Sequence, residues 1–148
     1  MDEKMIDFSK IPEWWAVCPG YDCPKREECL RYMAFVQSPK ALTRWKCVLP
    51  QALDDGECHS YQKVEKVRVA YGFHGVMDKI KSRDAKHDIR IALTDHFGSK
   101  GSYYRYKDGE RMLSPEEQQK IEDIIRRNGF EGDIAFDKYE ESYDFTRI

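Results

Sequence analysis

The chain has 148 residues, of which 35% are charged and 13% aromatic, and its formal net charge is -2. That length suits one domain or two small ones sharing a core, and no stretch approaches the ~20 apolar residues of a membrane span. The opening MDEKMIDFSK lacks the basic region and apolar run of a secretory signal, so the expectation is a soluble cytoplasmic protein with no membrane partner, whose cysteines serve metal or redox chemistry rather than disulfides.

A first section, residues 1–59, holds all five cysteines, spaced C-x4-C-x5-C-x17-C-x10-C. Thiolates share one ion when short loops bring their sulfurs to about 2.3 Å from a common centre. Pro19, Gly20 and Pro24 supply turns among Cys18, Cys23 and Cys29. The run KREECLRYMAFVQ predicts a helix with Cys29, Leu30, Met33 and either Val36 or Gln37 on its apolar face, stopping before Ser38-Pro39. Cys29 then enters from its first turn, where the helix dipole favours a thiolate. The preferred ligand set is Cys18, Cys23, Cys29 and Cys58, with Cys47 as substitute and His59 as a further candidate. Zinc is the expected ion, and an iron–sulfur cluster is the alternative. The competing view makes these cysteines small buried hydrophobes. A section this small lacks a sufficient core, and a metal would replace it. Beyond the helix, SPKALTRWKCVLPQALDDGEC reads as turn-rich and irregular.

The second section, residues 60–148, opens on KVEKVRVAYGF, where Val64, Val67 and Val69 allow a short strand or a helical turn, and GVMDKI allows one short helix. DAKHDIRIALTDHFG predicts a longer helix, with Asp84 as a cap, Ile89, Ala92, Leu93, His96 and Phe97 at helical spacing, and Gly98 at the C-cap. SPEEQQKIEDIIRRNG predicts another. Ser114 is its N-cap, Pro115 its first residue, Glu117 the partner of a capping box, Ile121, Ile124 and Ile125 its buried stripe, and Gly129 its stop. In the tail, Phe136, Tyr139, Tyr143 and Phe145 are expected to pin the chain onto its own core.

Charge is unevenly spread. Residues 60–107 carry 11 basic and 5 acidic side chains, whereas residues 108–148 carry 6 and 12. A basic middle suits an anionic partner, and an acidic tail either shields it or solvates the surface. No phosphate-binding loop, zinc-protease helix, nucleophile elbow or dinucleotide fingerprint occurs, and His59, His74, His87 and His96 have no metal-ligand spacing. Catalysis is therefore not expected.

IRIALTDHFGSKGSYYRYKDGERMLSPEEQQKIEDII resembles the helix-turn-helix of phage-repressor proteins. The resemblance implies a helix ending at Phe97, a turn at Gly98, a recognition helix over SKGSYYRYKD and a closing Gly109 before the helix from Ser114. Gly101 inside such a helix costs ~1 kcal/mol relative to Ala. The rival is a β-hairpin, YYRYKDGERML, turning at Asp108-Gly109. In either form Lys100, Arg105, Lys107 and Arg111 could meet phosphates, and Tyr103, Tyr104 or Tyr106 could stack on bases. Over most of its length the chain is also similar to a bacterial family of unknown function that combines an N-terminal cysteine motif with YYRY, GE and LSPEEQ, a resemblance that implies no activity.

The expectation is thus an α+β, mainly helical protein, with a small metal-stapled N-terminal section packed on a helical C-terminal body. The preferred function is a metal-stabilised regulator that binds or accompanies DNA. A protein-interaction adaptor and an iron–sulfur redox sensor are the competitors.

Overall fold

The computed structural model describes residues 5–147. It is an α+β chain in which helix outweighs two small sheets, and it divides into two units: the chain up to Glu65 together with the segment from Phe145 onward, and Lys66–Asp144.

The first unit is mostly loop, built around Trp15, Val17, Leu30, Ala34 and Phe145, all buried. Trp15 meets Phe145 edge to face at 5.0 Å, and its backbone carbonyl accepts from Trp45 Nε1 at 2.9 Å. Helix α1, Leu30–Val36, is shorter than its sequence predicts. A 3-10 turn covers Arg26–Glu28, and Cys29 between the two is extended, at φ -100° and ψ 126°. The cause is pairing with a distant strand of chain: Leu30 N–H donates to Gln62 O at 2.7 Å and Val64 N–H to Glu28 O at 3.1 Å. The buried side of α1 is Leu30, Arg31 and Ala34, and Val36 stays 62% exposed instead of joining the core. Strands β1, Leu53–Asp54, and β2, Glu57–Cys58, form a two-residue hairpin where only irregular chain is expected. Asp55 and Gly56 both have positive φ, 52° and 83°, the geometry of a type I′ turn.

In the second unit, β3, Lys66–Tyr71, pairs antiparallel with β4, Lys138–Tyr143, from Lys66 opposite Tyr143 to Tyr71 opposite Lys138. Between them in sequence come α2, His74–Lys79, α3, Arg83–Phe97, α4, Lys100–Lys107, and α5, Pro115–Arg127. Ile89 and Leu93 of α3, Tyr103 of α4, and Ile121 and Ile125 of α5 close on Phe73, Met77 and Leu113 to make the core. Ser82, rather than Asp84, caps α3, accepting from Ala85 N–H at 3.2 Å. Ser114 caps α5 by accepting from Glu117 N–H at 3.1 Å, and the Glu117 carboxylate is directed at His96, 2.8 Å from its Nε2, tying α5 to α3. The tail aromatics pack as expected, with Phe136, Tyr143 and Phe145 buried.

Candidate metal centre

Four of the five cysteines face one space. Cys18, Cys23, Cys29 and Cys58 line a single cavity of about 30 Å³ in the first unit, with Tyr32, Leu53, Tyr61 and Arg31 among its other walls. Each sulfur arrives from a different local structure. Cys18 follows Val17, which pairs in a short parallel bridge with Cys47. Cys23 ends a tight turn in which its N–H donates to Gly20 O at 2.8 Å. Cys29 sits at the cap of α1, and Cys58 is carried in by the Asp55-Gly56 hairpin.

Gly20 is required where it stands. At φ +90° it occupies the left-handed region, and a Cβ there would lie 2.6 Å from Tyr32 Cδ1. This conformation aims the Gly20 N–H at Cys18 Sγ, 3.4 Å away, where a donor favours the thiolate. Burial nevertheless pushes the Cys18 thiol up, and the neighbouring Cys29, Cys47 and Cys58 push it further, against the opposing pull of Gly20. The Cys18 thiol is thereby held above the usual thiol range.

Two arginines line the cavity, Arg26 and Arg31, and Arg31 is the buried one, only 3% exposed. Nε donates to Ser60 O at 2.8 Å, Nη1 to Ala16 O at 2.7 Å and Nη2 to Arg147 O at 3.1 Å, and the guanidinium lies 4.6 Å from the centre of the Trp15 ring. Among the described residues no carboxylate pairs with it. Burial lowers its pKa, while Cys29, Cys58 and Cys18 act in the opposite direction.

Neither Cys47, though beside Cys18, nor His59 is in the cavity wall. Cys47 is exposed and outside the cavity wall, with Sγ 3.6 Å from Val48 O. The His59 side chain is 75% exposed and 3.9 Å from Asp54. Among the described residues no three His, Cys, Asp or Glu side chains are already grouped as an ion site. To coordinate, the cavity's thiols would have to close to about 2.3 Å from one centre, and cysteine makes that kind of movement about its single χ1 torsion.

The residues assigned to nucleic acid fall differently. Residues 100–107 are helical, so the hairpin is excluded; Ser99 Oγ caps them by accepting from Ser102 N–H at 3.1 Å, after Gly98 turns the chain at φ 88°. A helix sends Tyr103 inward and Tyr104 outward. Tyr103 is 1% exposed and buried in the core, which pushes its phenol up to about 12, so its ring is not available to stack on a base. Tyr106 stacks on Phe97 at 4.4 Å, with the Arg111 guanidinium 5.6 Å from the centre of its ring, and Lys107 lies 5.4 Å from the Tyr104 ring. Lys100, Tyr104 and Arg105 remain exposed. With Arg90, Ile91 and Thr94 of α3, Lys100 and Tyr104 line an open groove of about 450 Å³.

A family model described as "Family of unknown function (DUF6078)" matches residues 1–145. The chain belongs to this family. Neither a curated protein nor a solved structure gives a significant match. Among the described residues no helix is long and apolar enough to cross a membrane. Two site features escape a sequence reading of this family member. Arg31 has no motif and follows Leu30 on a helix, where a cation ordinarily faces water. The Asp55-Gly56 turn does carry a sequence mark, the Asp-Gly pair of a two-residue hairpin.

Proposed function

We propose that Cys18, Cys23, Cys29 and Cys58 hold one zinc ion that replaces a hydrophobic core in the first unit, and that the chain works as a metal-stabilised recognition protein of a reducing compartment such as the cytoplasm. The observation that carries this reading is the sharing of one small cavity by four thiols from four local structures. The void is small, about 30 Å³, which favours a single ion over a larger group. A four-iron cluster brings eight inorganic atoms, so zinc is favoured over iron–sulfur. Metal analysis of protein purified without oxygen tests this directly. The expected result is one zinc per chain and no visible absorption; a brown protein supports the redox sensor, and a metal-free, fully stable protein removes both.

Nucleic acid as the recognised partner is a second reading, favoured by the outward placement of Lys100, Tyr104 and Arg105 on a capped helix two residues after α3. Its support is narrower than the sequence implies, because Tyr103 is spent in the core. An adaptor that binds protein through the same helices is the alternative, and the salt dependence of duplex binding separates them.

A further inference from the structure

We infer that Arg31 is the positioning residue of the four-thiol site, clamping three ligand-bearing segments and supplying a fixed positive charge against the metal-bound sulfurs; this rests on the zinc reading above. The clamp is visible in the placement of its acceptors. Ala16, which accepts from Nη1, precedes Cys18 by two residues, and Ser60, which accepts from Nε, follows Cys58 by two. Arg31 itself follows Cys29 by two, and its carbonyl accepts from Cys18 N–H at 3.1 Å. One planar side chain therefore fixes the relative positions of Cys18, Cys29 and Cys58. Arginine suits this because its donors form a rigid fork, whereas a lysine ammonium is a point charge on a flexible stem.

The charge argument is independent of the clamp. When four neutral thiols take up a divalent ion, four protons leave, the ion and four thiolates sum to a net charge of -2, and no electrons move. A buried dianion is costly without a nearby cation. A buried guanidinium is likewise costly without an anion, and among the described residues the hydrogen-bond partners of Arg31 are neutral carbonyl oxygens while the cavity thiols stand beside it. Each deficit answers the other. Cys23 is the ligand the clamp does not reach; its turn is held by Gly20 instead.

The test compares the full-length wild type with Arg31→Met, which keeps bulk and loses charge and fork, and Arg31→Lys, which keeps only charge. Zinc affinity is read by competition with a chromogenic chelator, and ligand number by the charge-transfer and d–d bands of the cobalt(II) forms. Partners beyond the ligands typically set 10–100-fold in metal affinity, so Arg31→Met is expected to bind zinc about 100-fold more weakly and to show fewer thiolates on cobalt. Arg31→Lys is expected to recover the four-thiolate spectrum and about half of the loss on a logarithmic scale. A folded Arg31→Met with wild-type affinity and spectrum overturns the inference while leaving the zinc reading intact. A wild type without a four-thiolate cobalt spectrum overturns both. Should Arg31→Met fail to fold, Arg31→Lys decides: wild-type affinity overturns the clamp, and weakened affinity with four thiolates retained supports it.

Discussion

Replacing Cys58 by Ser and Cys47 by Ser separates a cavity thiol from a bystander. Cys58 lines the cavity and Cys47 does not. In metal-free protein neither change should cost more than about 0.5 kcal/mol, as for most substitutions away from a packed core. With zinc the two diverge. A site loaded at a hundredfold over its dissociation constant stabilises the folded state by about 2.7 kcal/mol, and a thousandfold by about 4.1 kcal/mol. For a unit of this size each kcal/mol moves Tm by about 4–8 °C, so chelation should lower the first unit's melting by roughly 10–30 °C in wild type and in Cys47→Ser. Cys58→Ser should melt near the chelated value with or without zinc, and lose stoichiometric metal. Thermal melts followed by near-ultraviolet circular dichroism, with and without a chelator, provide the assay alongside metal content. If Cys47→Ser loses the ion and Cys58→Ser keeps it, the ligand set is wrong. If both keep it and melt alike, the cavity is not the site.

Other parts of the chain give tests of their own. Gly20→Ala forces a side chain into the left-handed region against the Tyr32 ring, and strain of this kind costs about 1–3 kcal/mol; an unchanged urea midpoint would contradict the geometry. Neutralising Lys100 and Arg105, both exposed, should make the slope of log affinity against log salt for duplex DNA shallower by about two, since each phosphate contact contributes roughly 0.9. A wild type that binds no nucleic acid at ~50 mM salt, where electrostatic association is strong, leaves the adaptor. For Tyr103 the folded phenol is raised to about 12 from about 10 in the unfolded chain. Stability is therefore unaffected below pH 10 and falls as pH rises from about 10 to 12, by at most about 1.4 kcal/mol per pH unit. Tyr103→Phe should flatten that slope, and an identical alkaline profile would place Tyr103 outside the core.

What was legible in the chain follows the range of the forces involved. Helices α3 and α5 announce themselves through apolar spacing and terminal glycines, and α5 through its serine cap, all decided within a few residues, although the sequence points to Asp84 as the cap of α3 where Ser82 makes it. β4 was not legible, because KYEESY has little apolar alternation and becomes a strand through pairing with β3, far away in sequence. The break at Cys29 has the same origin: residues 62–64 pair with residues 28–30 and hold Cys29 extended inside what reads as continuous helix. The tyrosines of YYRY looked interchangeable along a row. Helical periodicity sorts them, sending Tyr103 into the core and Tyr104 to the surface.

The candidate site was half legible for a related reason. Spacing groups Cys18, Cys23 and Cys29, since short loops can aim neighbouring sulfurs inward, but spacing cannot choose between Cys47 and Cys58. Three-dimensional pairing separates the two by exposure and by contact with the cavity. A parallel bridge to Val17 carries Cys47 beside Cys18 with its side chain exposed, whereas the hairpin turn at Asp55-Gly56 swings Cys58 into the cavity. Arg31 shows the limit most sharply. On periodicity alone it is a surface cation next to Leu30, yet it is among the most buried residues of its unit. A guanidinium accepts such a position only where the surroundings offer acceptors for its fixed fork and compensation for its charge. The carbonyls of Ala16, Ser60 and Arg147 satisfy the first condition, and among the described residues no carboxylate is hydrogen-bonded to the guanidinium to satisfy the second. On the zinc reading proposed above, metal-bound thiolates of the same cavity would supply that compensation, an expectation reached from the cation's side of the cavity and separate from any count of cysteines.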